Sequence, residues 1–434
     1  MKRYLPVMVS LVLADVSYGT NGDNLISVGP ISRGMGGLSI AYPQDPVSSV
    51  FANPAAMCFG PYCPMSEVNA SFTAFMPQVS AKVSNPFDPS MMIEAKSDDP
   101  VYPIPAIGFS RPLDIGEQNR WRFGFSAYGV SGMGVDYIGS SLDQSLGDFA
   151  PLPEPFASAP LATGTETLLQ IMKVAPALAY KVSPKLSVGA SMHYNYSELE
   201  MGEGPSSGET FGYQLGVLYH PTQNVYTGLS YTSPQEIKYK SVLTDFTGKL
   251  GDLRLEAPTQ IGGGISVELM EKRVVLGTEI KWINWGDASG YQEFGWEDQW
   301  SYSIGAQYEL KPEKWTVRIG YNYGSNPVKE NNGWNGSFDP VTMMPNEMVN
   351  VQGNLFPRYY YETFRIIGFP AIVEHHLTTG FTYRATETIS INFAYLKALE
   401  ETITETGIGL FGAPTVIESS LYEDSYEVGV SWRY

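Results

Sequence analysis

The residues of this 434-residue chain that are best suited to catalysis are its four histidines. They are His193, His220, His375 and His376, and none lies in a recognisable nucleophile or metal-binding motif. A lipid hydrolase would need serine and histidine on adjacent strands facing outward, whereas residue alternation places His193 inward. Only His375 and His376, at a predicted loop edge, support a hydrolase. We therefore expect no enzyme, no cofactor and no metal site.

Two cysteines, Cys58 and Cys63, lie close together. An exported chain enters an oxidising compartment, which favours a disulfide between them. Spacing alone does not establish that bond. A metal site is the poorer interpretation, because two thiols without a neighbouring histidine leave a tetrahedral ion half coordinated. The pair is therefore a disulfide candidate.

The first residues predict that the chain is exported. Lys2 and Arg3 precede a short apolar run, and Ser17 and Gly19 offer small residues at a cleavage site, so residues 1–19 read as a signal peptide. No later stretch approaches about 20 uninterrupted apolar residues, so any membrane span must consist of strands. The formal charge of −18 argues against a nucleic-acid partner.

Polar and apolar residues alternate from about residue 66 to the end of the chain. In one such segment Trp300, Tyr302 and Ile304 share a face, and Ser301 and Ser303 share the other. Half-apolar segments of this kind predict β-strands. Fourteen are predicted, at 66–83, 101–112, 119–131, 166–182, 185–200, 209–220, 223–242, 253–269, 273–285, 300–310, 315–324, 371–384, 387–403 and 418–434.

The connections between these segments are alternately long and short. Outer-membrane barrels have long outer loops, short periplasmic turns and an even number of strands. The chain ends on Tyr434, as expected for a last strand that joins an aromatic girdle. We therefore predict an all-β membrane protein, with residues 65–434 forming a 14-stranded antiparallel transmembrane β-barrel in the bacterial outer membrane.

Residues 20–64 have a different pattern. A glycine-rich stretch follows Arg33, and the segment closes on Asn53, Pro54 and Ala55. Glycines and prolines remove side-chain packing and ladder donors, so this segment cannot extend a regular sheet. We expect it to fill the lumen as a plug, or hatch. Arg33 is expected to reach a lumen carboxylate and hold the plug reversibly, and Asn53 to fix a turn at Pro54, although an ordinary turn without a gating role is the alternative.

The chain resembles the FadL-type outer-membrane transporters of long-chain fatty acids and related hydrophobic compounds. The likeness rests on SRGMGGLSIAYPQDPVSSVFANPAAM in the plug, with its Asn-Pro-Ala signature, and on three later segments in the family's order, APALAYKVSPKLSVGASMHYNYSELEM, LEAPTQIGGGISVELMEKRVVLGTEIKWINW and YSIGAQYELKPEKWTVRIGYNYGSNPV. It implies a monomer that transports passively. A hydrophobic ligand would land on the outer loops, enter an apolar pocket and leave sideways into the membrane after the hatch shifts. The cysteine pair and the long 325–370 loop depart from the family's pattern.

The resemblance also implies a kinked third strand that opens the wall. Gly129, Gly132 and Gly134 lie near the outer end of the third predicted strand. Glycine within a strand marks a bulge or a kink, so these residues are the lateral-gate candidates. A simple strand ending is the alternative.

A fatty-acid carboxylate in an apolar pocket would need a cation, because an unpaired buried charge is very costly. Alternation points Lys173, Lys281 and Arg318 inward, although inward cations commonly pair with inward acids, here Glu268, Glu279 or Glu309. Apolar residues of the outer loops offer a landing groove, unless that loop simply packs on itself; they are Leu142, Leu146, Phe149, Leu152 and Phe156. A rival hypothesis is a barrel that anchors secretion or surface machinery, which needs no apolar route through the lumen.

Overall fold

The computed structural model describes residues 20–59, 66–98, 101–113, 120–147 and 163–434. The predicted signal peptide, Cys63, Phe149, Leu152 and Phe156 therefore lie outside the described residues. Within them, no helix is both long and apolar enough to cross a membrane.

Fourteen antiparallel strands of the described chain form one closed wall, as the sequence predicted. Each strand pairs with the next along the chain, and the last pairs with the first, from Arg433↔Glu67 to Ile417↔Val83. In chain order the strands are β1 Glu67–Ser84, β2 Tyr102–Leu113, β3 Trp121–Asp136, β4 Glu166–Ser183, β5 Leu186–Glu200, β6 Ser206–Thr222, β7 Val225–Thr232, β8 Gln260–Leu269, β9 Val274–Ile283, β10 Gln299–Lys311, β11 Trp315–Gly324, β12 His375–Arg384, β13 Ile389–Ile408 and β14 Pro414–Arg433.

Side chains alternate between the two faces of this wall. On β10, Ile304 is 59% exposed on the outside, whereas Ser303 is buried on the inside. Large apolar residues thus cover the outer surface, and small or polar residues line the lumen. This pattern is the one that a wall in contact with lipid requires.

Two predicted strands, 223–242 and 253–269, are longer than the wall strands found there. β7 ends at Thr232 and β8 begins at Gln260, while Gln235–Thr244 and Leu250–Ala257 form a separate hairpin above the wall. Pro234 and Pro258 lie at the two breaks. Proline cannot donate a ladder hydrogen bond, so the wall ends where these residues occur.

The plug lies inside the lumen, and nearly all of residues 20–59 are buried. Its helices begin with proline at the first turn, where the missing N–H is not needed. The side chains of Asp45 and Asn53 accept hydrogen bonds from the backbone N–H groups of Ser48 and Ala55 and so cap two of them. The plug elements are the paired strands Thr20–Asn21 and Asn24–Leu25, the helices α1 Pro30–Arg33 and α2 Pro46–Ala52, and the 3-10 helix Pro54–Cys58.

The outer loops form a second core above the plug. The long 325–370 loop contributes to it together with the other loops and the outer strand ends, and aromatic residues such as Trp285, Tyr291 and Phe364 are buried in this core. Arg365 fixes this loop to β13 through its ion pair with Glu405, and it also pairs with Glu362 within the loop. The elements of these loops are the strands Met92–Lys96, Trp334–Asn335, Met348–Val351 and Asn354–Pro357, the helices α3 Ser141–Gly147 and α4 Arg358–Thr363, and a π-helical turn at Phe364–Gly368.

Candidate functional site

The lumen wall meets the plug through glycines. A methyl group added to Gly305 of β10 would overlap the carbonyl oxygen of Met35, and one added to Gly320 of β11 would overlap the backbone of Met35 and Gly36. Only glycine permits this close approach of two backbones. Eleven wall strands each carry at least one glycine at which an added methyl group would meet backbone or side-chain atoms of the plug. We call the following set, one from each strand, the glycine belt: Gly108, Gly124, Gly189, Gly216, Gly228, Gly264, Gly277, Gly305, Gly320, Gly380 and Gly429.

Arg33 joins the plug to β14. Its Nε lies 3.0 Å from Glu427 Oε2, and both side chains are almost fully buried. Its Nη1 donates to Ser425 Oγ at 2.6 Å and its Nη2 to the carbonyl oxygen of Ser27 at 2.9 Å. Removing one partner of such a buried ion pair strongly destabilises the protein, because the other charge then stays buried without a counter-ion.

Glu279 of β9 is a second connection between wall and plug. Its Oε1 accepts the backbone N–H groups of Ser39, Ile40 and Ala41 at 3.0, 2.6 and 3.0 Å. Three successive N–H groups aimed at one oxygen form an anion-binding nest. Lys281, a predicted ligand contact, lies on the same face, and its Nζ is 3.4 Å from the carbonyl oxygen of Ile26. In this structure Lys281 therefore contacts the plug.

Asn53 links three segments at the end of α2. Its Nδ2 donates to the carbonyl oxygens of Ile40 in the plug, at 2.7 Å, and of Val217 in β6, at 3.1 Å. The next two residues contact β5, where Ser187 Oγ donates to the carbonyl oxygen of Ala55 at 2.7 Å. Asn53, Pro54 and Ala55 thus form a turn that is attached to the wall on both sides.

Asp45 is a fully buried carboxylic acid at the start of α2. Burial raises the pKa of its carboxyl group to about 7, against the lowering effect of the hydrogen bond from the Ser48 backbone. A buried acid is easier to keep neutral than charged, since the ionised form loses its hydration. The plug therefore contains a group whose charge changes near neutral pH.

The wall is incomplete beside the first residues of the plug. Pairing between β2 and β3 ends at Ala106↔Tyr128, while β3 continues to Asp136 and, within the wall, pairs there with β4 alone. Pro103 and Pro105 in this part of β2 have no N–H to donate to a neighbour. We call the resulting gap, between 102–105 of β2 and 129–135 of β3, the side window.

The side window is bounded above and behind. Above it, Asp98 N–H donates to the carbonyl oxygen of Asp136 at 2.7 Å, and Asp136 N–H donates to Ser97 Oγ at 2.9 Å. Behind it, Asn24 of the plug pairs with Ser131 of β3. The plug strand Asn24–Leu25 thus closes the side window from the inside.

The three gate glycines have different surroundings. The β3–β4 register shifts between Gly129 and Ser131, so a bulge lies at this point of the strand. A side chain at Gly129 would meet Ile104 at 2.6 Å, and one at Gly134 would overlap the carbonyl oxygen of Thr167. Nothing lies within 4 Å of a side chain added at Gly132. Gly132 is the position at which the window has open space.

A small cavity of about 20 Å³ lies behind the side window. This volume holds about one water molecule and no hydrocarbon. Both the wall and the plug line it, and apolar side chains predominate on the wall side; the lining includes Thr20, Asp23, Phe75, Val79, Met133, Leu421 and Glu423. In the seated position of the plug the route sideways is therefore shut.

Lys173 lies beside the lower edge of the side window. It pairs in register with Tyr128 of β3 and with Asn195 of β5, and its side chain is buried. Its ammonium has no hydrogen bond or ion pair with any described residue. The buried Nδ1 of His193 and Oδ1 of Asn195 have no hydrogen-bond partner in the described chain either. The sequence pointed to Lys173 but not to these two neighbours, which only strand register brings beside it.

Arg318 lies on the opposite, periplasmic face of the plug. Its Nε donates to Gln307 Oε1 at 2.8 Å and its Nη1 to Thr382 Oγ1 at 2.7 Å. The three predicted ligand cations are therefore not together: Lys173 lies near the side window, Lys281 contacts the plug, and Arg318 faces the periplasm.

The predicted landing groove is only partly within the described chain. Leu142 and Leu146 of α3 are buried in the outer core, as in the alternative in which the loop packs on itself. Cys58 is buried at the end of the plug's 3-10 helix. Its bond to Cys63 stays a prediction, because Cys63 lies outside the described residues.

Three side chains near the outer end of β12 could hold a metal ion. Glu374, His375 and Glu401 offer ligand atoms that all lie within 4.8 Å of one another. The sequence did not indicate this group, since Glu401 reaches it only through the pairing of neighbouring strands. Tyr321 OH lies 2.6 Å from His375 Nδ1, so the other ring nitrogen is the one left for a ligand. Partly exposed acidic groups are common without an ion, and we assign this group no role.

Residues 203–333 match the family model described as "Outer membrane protein transport protein (OMPP1/FadL/TodX)". No curated protein matches the chain. The toluene transporter TodX of Pseudomonas putida has the same fold, with 19% identity, a TM-score of 0.63, and 95% of this chain and 99% of that one covered. A FadL homologue from Pseudomonas aeruginosa gives 15% identity and a TM-score of 0.64 with the same coverage. The toluene transporter TbuX of Ralstonia pickettii gives 18% and 0.55, again covering 95% and 99%.

Identities this low establish a shared fold and leave the cargo of this chain open. The sequence match and the fold agree on where the protein works, because both are those of barrels in the outer membrane. They also agree with the resemblance drawn from the plug and the three wall segments. That resemblance is confirmed: the chain is an outer-membrane β-barrel with the fold of the FadL-type transporters of hydrophobic compounds.

Proposed function

We propose that this protein lets hydrophobic small molecules, such as long-chain fatty acids or aromatic hydrocarbons, cross the outer membrane by passive diffusion. The observation that carries the proposal is the side window, a gap in the wall that, in the described part of the chain, the plug strand Asn24–Leu25 closes from the inside. A closed wall would offer no exit to lipid. A gap sealed by a short, separately attached segment is what a lateral exit requires.

The plug's first residues are the part that moves in this proposal. Asn21 Oδ1, Asn24 Nδ2 and Ser27 Oγ are buried without a hydrogen-bond partner in the described chain. Each unsatisfied group costs about 1–3 kcal/mol. Displacing this segment therefore loses less stability than displacing the rest of the plug, and it would enlarge the cavity behind the side window.

Lys173 is the polar anchor that we propose for a ligand with a carboxylate. Its ammonium lies next to β3, whose upper half forms one side of the side window. Asn195 and His193 add unpaired polar atoms at the same level. A fatty acid would place its carboxylate there and its chain toward the apolar lining of the side window. A hydrocarbon would use the apolar lining alone.

The rival function is a barrel that anchors other machinery. A lumen blocked by charged residues would favour it. The charged contacts of the plug, Arg33 with Glu427 and Glu279 with 39–41, lie away from the side window. Two carboxylates, Asp23 and Glu423, line the small cavity behind the window; Asp23 accepts a hydrogen bond from Tyr291, and Glu423 accepts one from Thr20 at 3.3 Å. This distribution of charge favours transport over anchoring.

Uptake by whole cells tests the proposal. Cells that lack the protein are compared with cells that express it, using labelled oleate and labelled toluene. We expect faster uptake of at least one compound when the protein is present, and no change for a polar sugar of similar size. Equal uptake of both compounds with and without the protein would support the anchor instead.

A further inference from the structure

A second cavity, of about 480 Å³, lies between the plug and the wall at the periplasmic end. We call it the periplasmic cavity. Its rim includes Lys272 in the short turn after β8 and Arg433 near the end of β14, so it opens on the side opposite the long loops. The plug contributes Ile31 and Tyr42 to its lining. The cavity is therefore large enough for a small molecule and is bordered by both parts of the protein.

The charge of this cavity is opposite to that of the chain. The protein has a formal charge of −18, yet the cavity is lined by Lys272, Arg318, Arg384 and Arg433 against two carboxylates, Glu268 and Glu309. Two of the cations have ion-pair partners, because Lys272 lies 3.1 Å from Glu268 and Arg433 lies 2.7 Å from Glu67.

Arg318 and Arg384 have no ion pair with any described residue. The Arg318 side chain is only 7% exposed, and its two hydrogen bonds, to Gln307 and Thr382, go to neutral groups. Its Nη2 has no partner among the described residues. Asp45 of the plug is a carboxylate close enough to interact electrostatically with Arg318, but the two form no ion pair. Asp45 instead accepts a hydrogen bond from the Ser48 N–H at 2.8 Å. A buried guanidinium without a counter-ion favours binding of an anion.

Two aromatic rings line the same cavity as this guanidinium. Tyr42 of the plug and Tyr226 of β7 meet edge to face, with their centroids 5.3 Å apart. Ile31 adds an apolar side chain from α1. The cavity thus combines a cation for a carboxylate with an apolar and aromatic surface for the body of a small molecule.

We propose that the periplasmic cavity binds a small organic carboxylate with an aromatic or short apolar body. Arg318 holds the carboxylate and Tyr42 and Tyr226 contact the body. Because Arg318 and Tyr226 belong to the wall while Tyr42 and Ile31 belong to the plug, the ligand joins the two. A ligand that binds only this arrangement stabilises it, so occupancy from the periplasm keeps the plug seated.

Binding of benzoate to the purified full-length protein in detergent tests the site by isothermal titration calorimetry. We expect a dissociation constant of about 1 mM or below. Arg318→Gln should weaken binding by about tenfold or more, the size of one charge-assisted hydrogen bond. The matched control is Arg273→Gln at the same end of the barrel, since Arg273 contacts Tyr308 and is not in the cavity lining. It should leave binding unchanged.

Benzyl alcohol and inorganic phosphate test whether the cavity recognises both the carboxylate and the aromatic body of benzoate. The neutral alcohol should bind at least about tenfold more weakly than benzoate, because it cannot use the guanidinium charge. The proposal would be overturned if benzyl alcohol or phosphate bound as tightly as benzoate, or if Arg318→Gln left the affinity for benzoate unchanged.

A measurement on the unaltered protein keeps the test valid if Arg318→Gln fails to fold. Benzoate, and not benzyl alcohol, should slow hydrogen exchange of plug amides in the 31–44 range. Unchanged exchange at saturating benzoate would contradict the coupling to the plug. Neither experiment measures transport, so their failure would leave the uptake proposal as it stands.

Discussion

The plug meets the wall in two different ways along its length. From 30 to 58 it lies against the glycine belt and is held by Arg33, Glu427 and Glu279. From 20 to 28 it borders the side window, and three of its buried polar atoms, in Asn21, Asn24 and Ser27, have no hydrogen-bond partner in the described chain. Close backbone contact makes the first region rigid, whereas unsatisfied polar groups make the second easier to displace. One short domain can therefore stay anchored while its beginning moves.

A substitution in the glycine belt should have the largest effect. Gly320→Val places a side chain on the backbone of Met35 and Gly36, which cannot move aside without unseating the plug. We expect a cost of more than about 3 kcal/mol, beyond ordinary overpacking. Arg33 is the only basic residue in 20–59, so tryptic cleavage after it reports an unseated plug. Gly132→Val, at a position with open space, is the control that should remain uncut. If both variants resisted trypsin equally, the glycine belt would not be the contact that holds the plug rigidly.

Breaking the buried ion pair should have the next largest effect. Arg33→Met leaves Glu427 charged and buried, at an expected cost of about 3–5 kcal/mol. Hydrogen exchange of plug amides in 30–41 measures the free energy of plug opening. Adding Glu427→Gln to Arg33→Met should recover part of that loss, because the unpaired charge is then absent. A loss below about 1 kcal/mol in the single variant, a value typical of exposed pairs, would contradict the role of this contact.

Filling the side window should change transport without changing stability. Gly132→Val adds a β-branched side chain at the edge of the side window, at a position with open space. We expect uptake of the transported compound to fall about tenfold, which corresponds to about 1.4 kcal/mol on the barrier. The barrel should keep its usual gel mobility shift on heating. Normal uptake by a correctly folded Gly132→Val protein would contradict the proposal that the transported compound leaves through the side window.

The smallest expected effect is a pH dependence of the rigid region. The pKa of Asp45 is about 7 in the folded plug, above its ordinary value, because the carboxyl group is buried. The folded state therefore binds a proton that the unfolded state releases, and stability falls as pH rises toward 7. Plug opening by hydrogen exchange should become easier between about pH 4 and pH 7, by at most about 1.4 kcal/mol per pH unit, because the pKa of this carboxyl group lies near 4 in the unfolded chain and near 7 in the folded plug. Asp45→Asn keeps a capping side chain and should abolish this slope. If the pH dependence of plug opening persists in Asp45→Asn, another titrating group causes it.

Much of the wall could be predicted from the sequence, because each strand carries its own pattern. Ser301, Tyr302, Ser303 and Ile304 already show which face meets lipid, and that pattern needs no contact with distant residues. The breaks at Pro234 and Pro258 were also visible, but the prediction ran the strands through them. The glycine belt had a signal too, since Gly305 and Gly320 stand on the polar face of their strands.

The sequence by itself determined the number and alternation of the strands and the different nature of residues 20–59, since each depends on local residue order. Only the tertiary structure decided which residues meet across the lumen. In the tertiary structure Arg33 contacts Glu427, and Arg318 lies on the periplasmic face of the plug. His193 and Asn195 lie beside Lys173. These contacts join residues far apart in the chain, and strand register and barrel closure, rather than any local pattern, determine them.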